Sequence, residues 1–125
     1  MINYILVGIG AAIGGTFRYW ISNVIFKIFS ENFPYGTLVV NVTGSFILGI
    51  LMFYFNDREL LSPQLRLFLT VGFCGGFTTF STFSFETMNL FRETQYLLGS
   101  INILLNLMLC LIGVFLAYLV TKLIG

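Results

Sequence analysis

Histidine is absent from this sequence of 125 residues, and charged residues are scarce. They make up 9% of the chain, whereas an ordinary soluble domain carries about 25%. The lack of histidine excludes imidazole metal sites and histidine-based catalysis. The sequence also has no phosphate-binding loop, no nucleophile–base pair and no cluster of metal-ligating side chains, so it predicts a protein that is not an enzyme.

The formal net charge is only +1, and no run of basic residues is present. Nucleic-acid binding requires a basic patch or stripe, so a nucleic-acid partner is not expected. Cysteine is also rare, with Cys74 and Cys110 both inside apolar segments. Two cysteines in such positions do not predict a disulfide framework, and we interpret them as small packing residues.

Apolar residues are abundant instead, at 58% of the chain, and they fall into four blocks. Each block is close to the length needed to cross a bilayer, which predicts spans over roughly residues 3–26, 35–55, 64–90 and 96–122. The predicted fold class is an all-α membrane protein in which residues 1–125 form a single four-helix transmembrane domain. We therefore expect a multi-pass protein of the cell membrane, surrounded by lipid; in a Gram-negative bacterium this would be the inner membrane.

The third span contains three glycines within five residues, at Gly72, Gly75 and Gly76. Glycine in a helix interior costs about 1 kcal/mol relative to alanine, so this cluster predicts a break in the third helix at mid-membrane depth. Irregular backbone at that depth must be buried in protein or line a polar cavity. The carbonyl oxygens that a break releases can coordinate a hard cation, and sodium suits such ligands better than a transition metal does.

Polar residues recur on single faces of two other spans. Thr37, Asn41 and Ser45 are spaced four residues apart, and so are Asn102 and Asn106. Buried asparagines need hydrogen-bond partners, which another helix or a ligand path would supply. The proximity of the first stripe to the predicted break favours the ligand path.

Two further residue types inside the spans have alternative interpretations. Arg18 in the first span either extends its charge to the membrane interface or faces a cavity. Phe77, Phe80 and Phe83 recur every three residues. Such a stripe is usually core or lipid contact, but the positive ring edges could contact a small anion in a narrow pore. The alternation of these rings with hydroxyl side chains after the break favours the pore.

Basic residues are almost evenly divided between the two sides of the predicted bundle. Arg58, Arg66 and Lys122 lie on one side, and Lys27 and Arg92 on the other, with Arg18 leaning toward the latter. The bias of lysine and arginine sets membrane orientation, so we expect insertion in both orientations. Two oppositely oriented copies would give the symmetry that larger transporters achieve with inverted repeats. The sequence thus predicts an antiparallel dual-topology homodimer, and a break on its two-fold axis would create a symmetric cation site.

Three segments carry a resemblance to a known family. They are GGTFRY at residues 14–19, GTLVVNVTGSF at residues 36–46, and GFCGGFTTFSTFSFE at residues 72–86. The chain resembles the Fluc (CrcB) fluoride channels, which implies an antiparallel dimer with two pores. It also implies passive, selective export of cytoplasmic fluoride, which lowers fluoride toxicity. The cofactor implied is a structural sodium ion that is not transported, held by the backbone carbonyls of Gly75 and Thr78 of both subunits.

The resemblance also implies roles for side chains. It places Phe80, Phe83 and Asn41 in the fluoride pore, and the residues after the break extend that assignment to Ser81 and Thr82. In the fourth span, Asn102 and Asn106 are also assigned to the fluoride pore, where they replace the tyrosine and serine of the commoner family pattern. Three more residues are candidates for the pore or its vestibule, namely Arg18, Thr37 and Glu86. An ionised Glu86 should repel an anion, and its role stays open.

The alternative function is a small multidrug-type, proton-coupled antiporter, which also forms antiparallel four-helix dimers. Cation antiport needs a titratable carboxylate deep in the membrane, and such exporters place one in the first span. The first span here has no acidic residue. A non-transporting assembly subunit would explain the small-residue helix interfaces, but not the break and the polar, aromatic segment after it.

Overall fold

The computed structural model describes residues 1–125, which form helices and no strands. We number the five helices in chain order, and their bounds are α1 Ile2–Ile28, α2 Tyr35–Asn56, α3 residues 63–77, α4 Phe80–Arg92 and α5 Tyr96–Ile124. When α3 and α4 are counted as one segment, the chain has four segments that are long and apolar enough to cross a membrane. The prediction of an all-helical protein with four long apolar helices is confirmed.

The side-chain hydroxyls of Ser62 and Thr79 cap the N-termini of α3 and α4, the two helices of the third segment. The Ser62 hydroxyl accepts the Leu65 N–H over 3.1 Å, and Pro63 occupies the first position of α3. Both features favour a helix start, because the cap satisfies a free N–H and proline has none to satisfy. The Thr79 hydroxyl caps α4 in the same way, accepting the Thr82 N–H over 3.2 Å.

The backbone between α3 and α4 is extended over two residues. Thr78 has φ −88° and ψ 159°, and Thr79 has φ −151° and ψ 117°. The helix preceding them is π-helical from Phe68 to Cys74. Gly72, Gly75 and Gly76 remain in helical backbone just before these threonines. The interruption therefore lies immediately after the glycine cluster rather than within it.

The glycines of α3 allow its backbone to touch that of α1. A Cβ atom on Gly76 would lie 2.5 Å from the Ala11 carbonyl oxygen, and one on Gly72 would lie 3.1 Å from the Gly10 Cα. A Cβ atom on Gly10 would in turn lie 2.5 Å from the Phe68 carbonyl oxygen. Small residues at such crossings let membrane helices approach closely, so these glycines hold α3 against α1.

Helices α2 and α5 form the other main contact of the bundle, and α4 packs chiefly on α5. Val40 and Ala117 are completely buried there, and a Cβ atom on Gly49 would lie 2.6 Å from the Ala117 Cβ. Several polar side chains are buried in the same region, among them Asn41, Asn102, Asn106 and Thr87. The bundle thus has a polar core where α2, α4 and α5 meet.

Candidate functional site

Three carbonyl oxygens around the interruption have defined hydrogen-bond donors. The Cys74 oxygen accepts both the Thr78 N–H, over 3.0 Å, and the Thr78 hydroxyl, over 2.9 Å. The Gly76 oxygen accepts the Nε–H of Arg18 from α1 over 3.0 Å. The Thr79 oxygen accepts the Asn41 side-chain amide over 3.1 Å. These bonds stabilise the end of α3 and satisfy part of the exposed backbone.

The carbonyl oxygens of Gly75 and Thr78, which the family resemblance assigns to a cation, differ from these three in their hydrogen bonding. No hydrogen bond is donated to the Thr78 oxygen. In a continuous α-helix the Gly75 oxygen would accept the Thr79 N–H, but that N–H is donated to Asn41 Oδ1 over 2.8 Å. Gly75 is exposed on the surface of the subunit, and a Cβ atom there would meet nothing closer than the Thr70 oxygen at 4.0 Å.

The Gly75 and Thr78 carbonyl oxygens are ligands of the kind that suits a hard cation. The structure contains no group of three or more His, Cys, Asp or Glu side chains that could hold a metal ion. Neutral carbonyl oxygens suit hard cations, whereas transition metals prefer imidazole or thiolate. Sodium therefore fits the residues present, with Gly75 and Thr78 as the groups that would hold it.

A cavity of about 420 Å³ opens beside the interruption. Six residues of the predicted site contribute to its wall, namely Asn41, Gly75, Thr78, Phe80, Phe83 and Asn106. The rings of Phe80 and Phe83 have centroids 5.3 Å apart and planes inclined at 57°. Phe80 is 71% exposed and Phe83 only 7% exposed, so one ring lies on the outer face of the subunit and the other is enclosed.

Ser81 and Thr82 lie in the first turn of α4, next to the extended threonines. The Thr79 hydroxyl donates to Thr82 Oγ1 over 3.1 Å and lies 3.4 Å from Ser81 Oγ. Ser81 is exposed on the subunit surface, and neither residue lines the cavity of the subunit. These hydroxyls therefore form a polar patch at the start of α4, adjacent to the exposed ring of Phe80.

Asn102 and Asn106 are brought together with Asn41 inside the bundle. Asn41 Nδ2 donates to Asn106 Oδ1 over 3.1 Å, and Asn106 Nδ2 donates to Asn102 Oδ1 over 3.0 Å. Asn102 is completely buried and donates to the Thr87 hydroxyl over 2.9 Å. Asn41 and Asn106 reach the cavity wall, whereas Asn102 does not. Both sequence-derived polar faces thus meet in one hydrogen-bonded row.

Glu86 lines a second cavity, of about 460 Å³, near the α1–α2 and α4–α5 connections. Glu31, Asn89 and Glu93 share that cavity. One oxygen of Glu86, Oε1, is buried without a hydrogen-bond partner, and the Thr37 hydroxyl approaches the carboxyl group. Arg18 does not line this cavity, because its guanidinium group is bound at the interruption. The three candidate vestibule residues are therefore divided between two places.

Thr79 and Thr87 were not among the side chains assigned to the site from sequence. Thr79 exchanges two hydrogen bonds with Asn41, and Thr87 contacts Asn102. The role of Thr79 could have been predicted from the sequence, because a threonine just before an apolar helix is a common N-cap. The contact of Thr87 could not have been predicted in this way, since its partner lies on another helix and the spacing of residues along α4 does not reveal that partner.

These features together define a multi-pass protein of the cell membrane, with an interrupted third segment beside a polar and aromatic cavity. A family model described as CrcB-like protein, Camphor Resistance (CrcB), matches residues 5–118. The chain belongs to this family, and the resemblance drawn from the sequence motifs is confirmed.

Curated relatives cover nearly the whole chain. A protein of Clostridium novyi (strain NT) is 47% identical over 120 residues, which are 96% of this chain and 94% of the relative. A protein of Geotalea uraniireducens (strain Rf4) is 42% identical over 116 residues, 93% of this chain and 94% of the relative. A protein of Coxiella burnetii (strain CbuK_Q154) is 42% identical over 121 residues, 96% and 98% respectively. Each relative is named fluoride-specific ion channel FluC, the name of an ion channel rather than of an enzyme.

Proposed function

We propose that this protein is a fluoride-selective ion channel that exports cytoplasmic fluoride passively and so lowers its toxicity inside the cell. The observation that carries the proposal is the near full-length likeness to relatives that are named fluoride-specific ion channels. The geometry of the subunit supports it. An interrupted helix opens onto a cavity whose wall combines phenylalanine rings with amide and hydroxyl groups.

The cavity wall offers a small anion two kinds of contact. Hydroxyl groups can donate hydrogen bonds, and the edges of aromatic rings carry partial positive charge. The amides of Asn41 and Asn106 already donate to protein acceptors, so they shape the wall instead of donating to the anion. Phe80 and Phe83 present inclined rings in this wall together with the hydroxyl group of Ser45. Ser81 and Thr82 add hydroxyl groups at the start of α4, outside the cavity of the single subunit. Such a wall stabilises a partly dehydrated anion without a fixed positive charge, which suits rapid passage rather than tight binding.

The functional unit in this proposal is an antiparallel homodimer with two pores. Phe80 and Phe85 are 71% and 68% exposed on the isolated subunit, and Ser81 and Ser84 are exposed between them. Hydroxyl groups facing lipid are unfavourable, and a second copy would cover them. The nearly even distribution of basic residues supports an antiparallel arrangement. Each pore would then combine Phe80, Phe83, Asn41 and Asn106 with the surface of the partner, and Asn102 would lie behind Asn106 in the same hydrogen-bonded row.

A structural sodium ion would lie at the dimer centre, held by the Gly75 and Thr78 carbonyls of both copies. The exposed position of Gly75 and the absence of a donor at the Thr78 oxygen support this assignment. A bound cation would neutralise the partial negative charge of carbonyls that converge from two subunits. Its role in this proposal is to stabilise the two interruptions against each other at mid-membrane depth.

The alternative of a small multidrug-type antiporter is disfavoured by three observations. Helix α1 contains no acidic residue that could exchange protons for a cation. Membership of the CrcB family favours the fluoride channel. The proposed site also lacks the deep carboxylate that proton coupling requires, because Glu86 lines the cavity near the helix connections.

Ion efflux from liposomes tests the proposed function. Purified protein is reconstituted into liposomes loaded with either potassium fluoride or potassium chloride, and release is started with a potassium ionophore. Fluoride should leave rapidly, while chloride release should match that of protein-free liposomes. Equal release of both anions would overturn the selectivity, and no release of either would overturn channel function.

A further inference from the structure

We infer that Thr87 and Asn102 are positioning residues for the pore rings, acting through one row of buried hydrogen bonds. The row joins Asn41, Asn106, Asn102 and Thr87, and we call these four side chains the amide clamp. It holds helix α4 at two points, on either side of Phe80 and Phe83. The inference rests on the proposed channel function and adds to it the device that fixes the ring positions.

The first point of attachment is the residue just before α4. The amide of Asn41 accepts the Thr79 N–H over 2.8 Å and donates to the Thr79 oxygen over 3.1 Å. A side-chain amide that exchanges both bonds with one residue fixes the position and the orientation of that backbone. Thr79 is also the N-cap of α4, so Asn41 determines where the helix begins.

The second point of attachment lies two turns further along α4. The Thr87 hydroxyl accepts the Asn102 amide over 2.9 Å and donates to the Phe83 carbonyl oxygen over 2.8 Å. All the side chains involved are buried. A helix held at both Thr79 and Thr87 can neither rotate about its axis nor slide along it without breaking buried hydrogen bonds.

The hydrogen bonds of the clamp form a continuous row in which each amide donates to the next residue, from Asn41 toward Thr87. Asn41 donates to Asn106, Asn106 donates to the side-chain and main-chain oxygens of Asn102, and Asn102 donates to Thr87. The amide oxygens of Asn41, Asn106 and Asn102 each accept one bond. Each side-chain N or O atom of the row has a hydrogen-bond partner. Because such a buried row in a low dielectric is rigid, it transmits the position of α2 through α5 to α4.

Apolar packing alone holds α4 only weakly. Its buried residues are Phe83, Thr87 and Leu90, of which Thr87 belongs to the clamp and bonds the carbonyl oxygen of Phe83. The helix packs chiefly on α5 and has few neighbours on its other sides. Within one subunit, the clamp is thus a principal restraint on the α4 backbone that carries Phe80 and Phe83. In the proposed channel, discrimination between anions of different size would depend on the position of these rings.

Thr87→Val provides the main test, because valine keeps the shape of threonine and removes both hydrogen bonds. Thr87→Ser keeps the hydroxyl and serves as the rescue variant. Thr121→Val is the matched control, since the buried Thr121 hydroxyl bonds only the Ala117 oxygen within α5. Fluoride and chloride efflux from liposomes are measured for each variant, and size-exclusion chromatography monitors the assembly. We expect Thr87→Val to lower the ratio of fluoride to chloride flux about tenfold, which is the factor by which the free energy of one or two buried hydrogen bonds shifts the equilibrium between the held and the displaced position of α4.

Thr87→Ser and Thr121→Val should keep the wild-type ratio. An unchanged ratio in Thr87→Val would overturn the inference, and so would an equal loss in Thr121→Val, which would show general destabilisation. If Thr87→Val does not assemble, Thr87→Ala removes the same bonds without placing a methyl group against Asn102, and the same outcomes apply.

Hydrogen exchange separates failure of the clamp from failure of the proposed function. If the wild-type protein carried no fluoride, the proposed function would fail, but the exchange of backbone amides over residues 79–87 would still report on the clamp. Faster exchange there in Thr87→Val, with no change in Thr121→Val, supports the clamp. Equal exchange in wild type and Thr87→Val would overturn it.

Discussion

Arg18 of α1 donates its Nε–H to the carbonyl oxygen of Gly76 over 3.0 Å, next to the end of α3. Arg18 lies well inside α1, ten residues before that helix ends at Ile28. Its guanidinium group is partly buried and bonds to main chain rather than to a carboxylate. A charged side chain from the first segment therefore secures the backbone on which the proposed pore and cation site depend.

Replacement of Arg18 by glutamine should destabilise the protein. A hydrogen bond from a charged group to a partly buried carbonyl is worth about 1.5–3 kcal/mol, so we expect a clear fall in the thermal unfolding temperature in detergent. Arg58→Gln is the control, because the exposed Arg58 guanidinium bonds the Phe53 and Tyr54 oxygens near the end of α2. Equal unfolding temperatures for Arg18→Gln and wild type would contradict the role of this bond.

Replacement of Phe80 or Phe83 by isoleucine should slow fluoride efflux while the dimer stays intact. Isoleucine keeps an apolar side chain but lacks the positive ring edge that would face the anion. Phe115→Ile is a suitable control, since Phe115 is exposed on α5 and does not line the cavity beside the interruption. The ring-edge role would be abandoned if both pore variants transported fluoride at the wild-type rate.

Removal of sodium should impair fluoride efflux. The measurement compares liposomes in sodium-containing solution with liposomes in which a bulky organic cation replaces sodium on both sides. Carbonyl oxygens that converge without a cation repel one another, so the proposed dimer centre would lose its order. An unaltered fluoride flux after complete exchange would count against the sodium site.

Alanine at Gly76 should cost stability, whereas alanine at Gly8 should not. A Cβ atom on Gly76 would lie 2.5 Å from the Ala11 oxygen, but one on Gly8 would meet nothing within 4 Å. Overpacking of this kind costs about 1–3 kcal/mol, while alanine in an open helical position is favourable. Thermal unfolding of both variants in detergent measures the difference, and equal effects would show that the α1–α3 contact is looser than described.

Reporters fused to the C-terminus should detect both membrane orientations. A reporter active only in the cytoplasm and one active only outside it would each give a signal, because the basic residues are nearly balanced between the two sides. Addition of two lysines to one connection should then shift the population to a single orientation. One fixed orientation of the unmodified protein would exclude the antiparallel dimer.

Hydropathy alone predicted four long apolar helices, because burial in lipid leaves a strong signal along the chain. The interruption was located less accurately. Glycine has two uses in a membrane helix, as a flexible point and as a place of close approach, and a single sequence does not distinguish them. Here Gly72 and Gly76 contact α1, while Thr78 and Thr79 adopt the extended conformation.

Helical spacing likewise predicted polar faces but not their partners. The four-residue spacing of Asn102 and Asn106 indicated one face of α5, and the structure places both residues in contact with each other. The contacts of Asn41 with Thr79 and of Asn102 with Thr87 join different helices. Such pairings depend on how the helices pack in three dimensions, and no local period encodes them.

Side chains in and around the interruption determine how many of its carbonyl oxygens are free. Arg18 occupies the Gly76 oxygen, Asn41 occupies the Thr79 oxygen, and the Thr78 hydroxyl joins its own N–H on the Cys74 oxygen. In the proposed cation site the backbone would act as a chelating ligand whose denticity depends on neighbouring groups. A substitution at position 18 or 41 would then alter the coordination number offered to a cation, so the metal preference of such a site could change through residues that do not touch the metal.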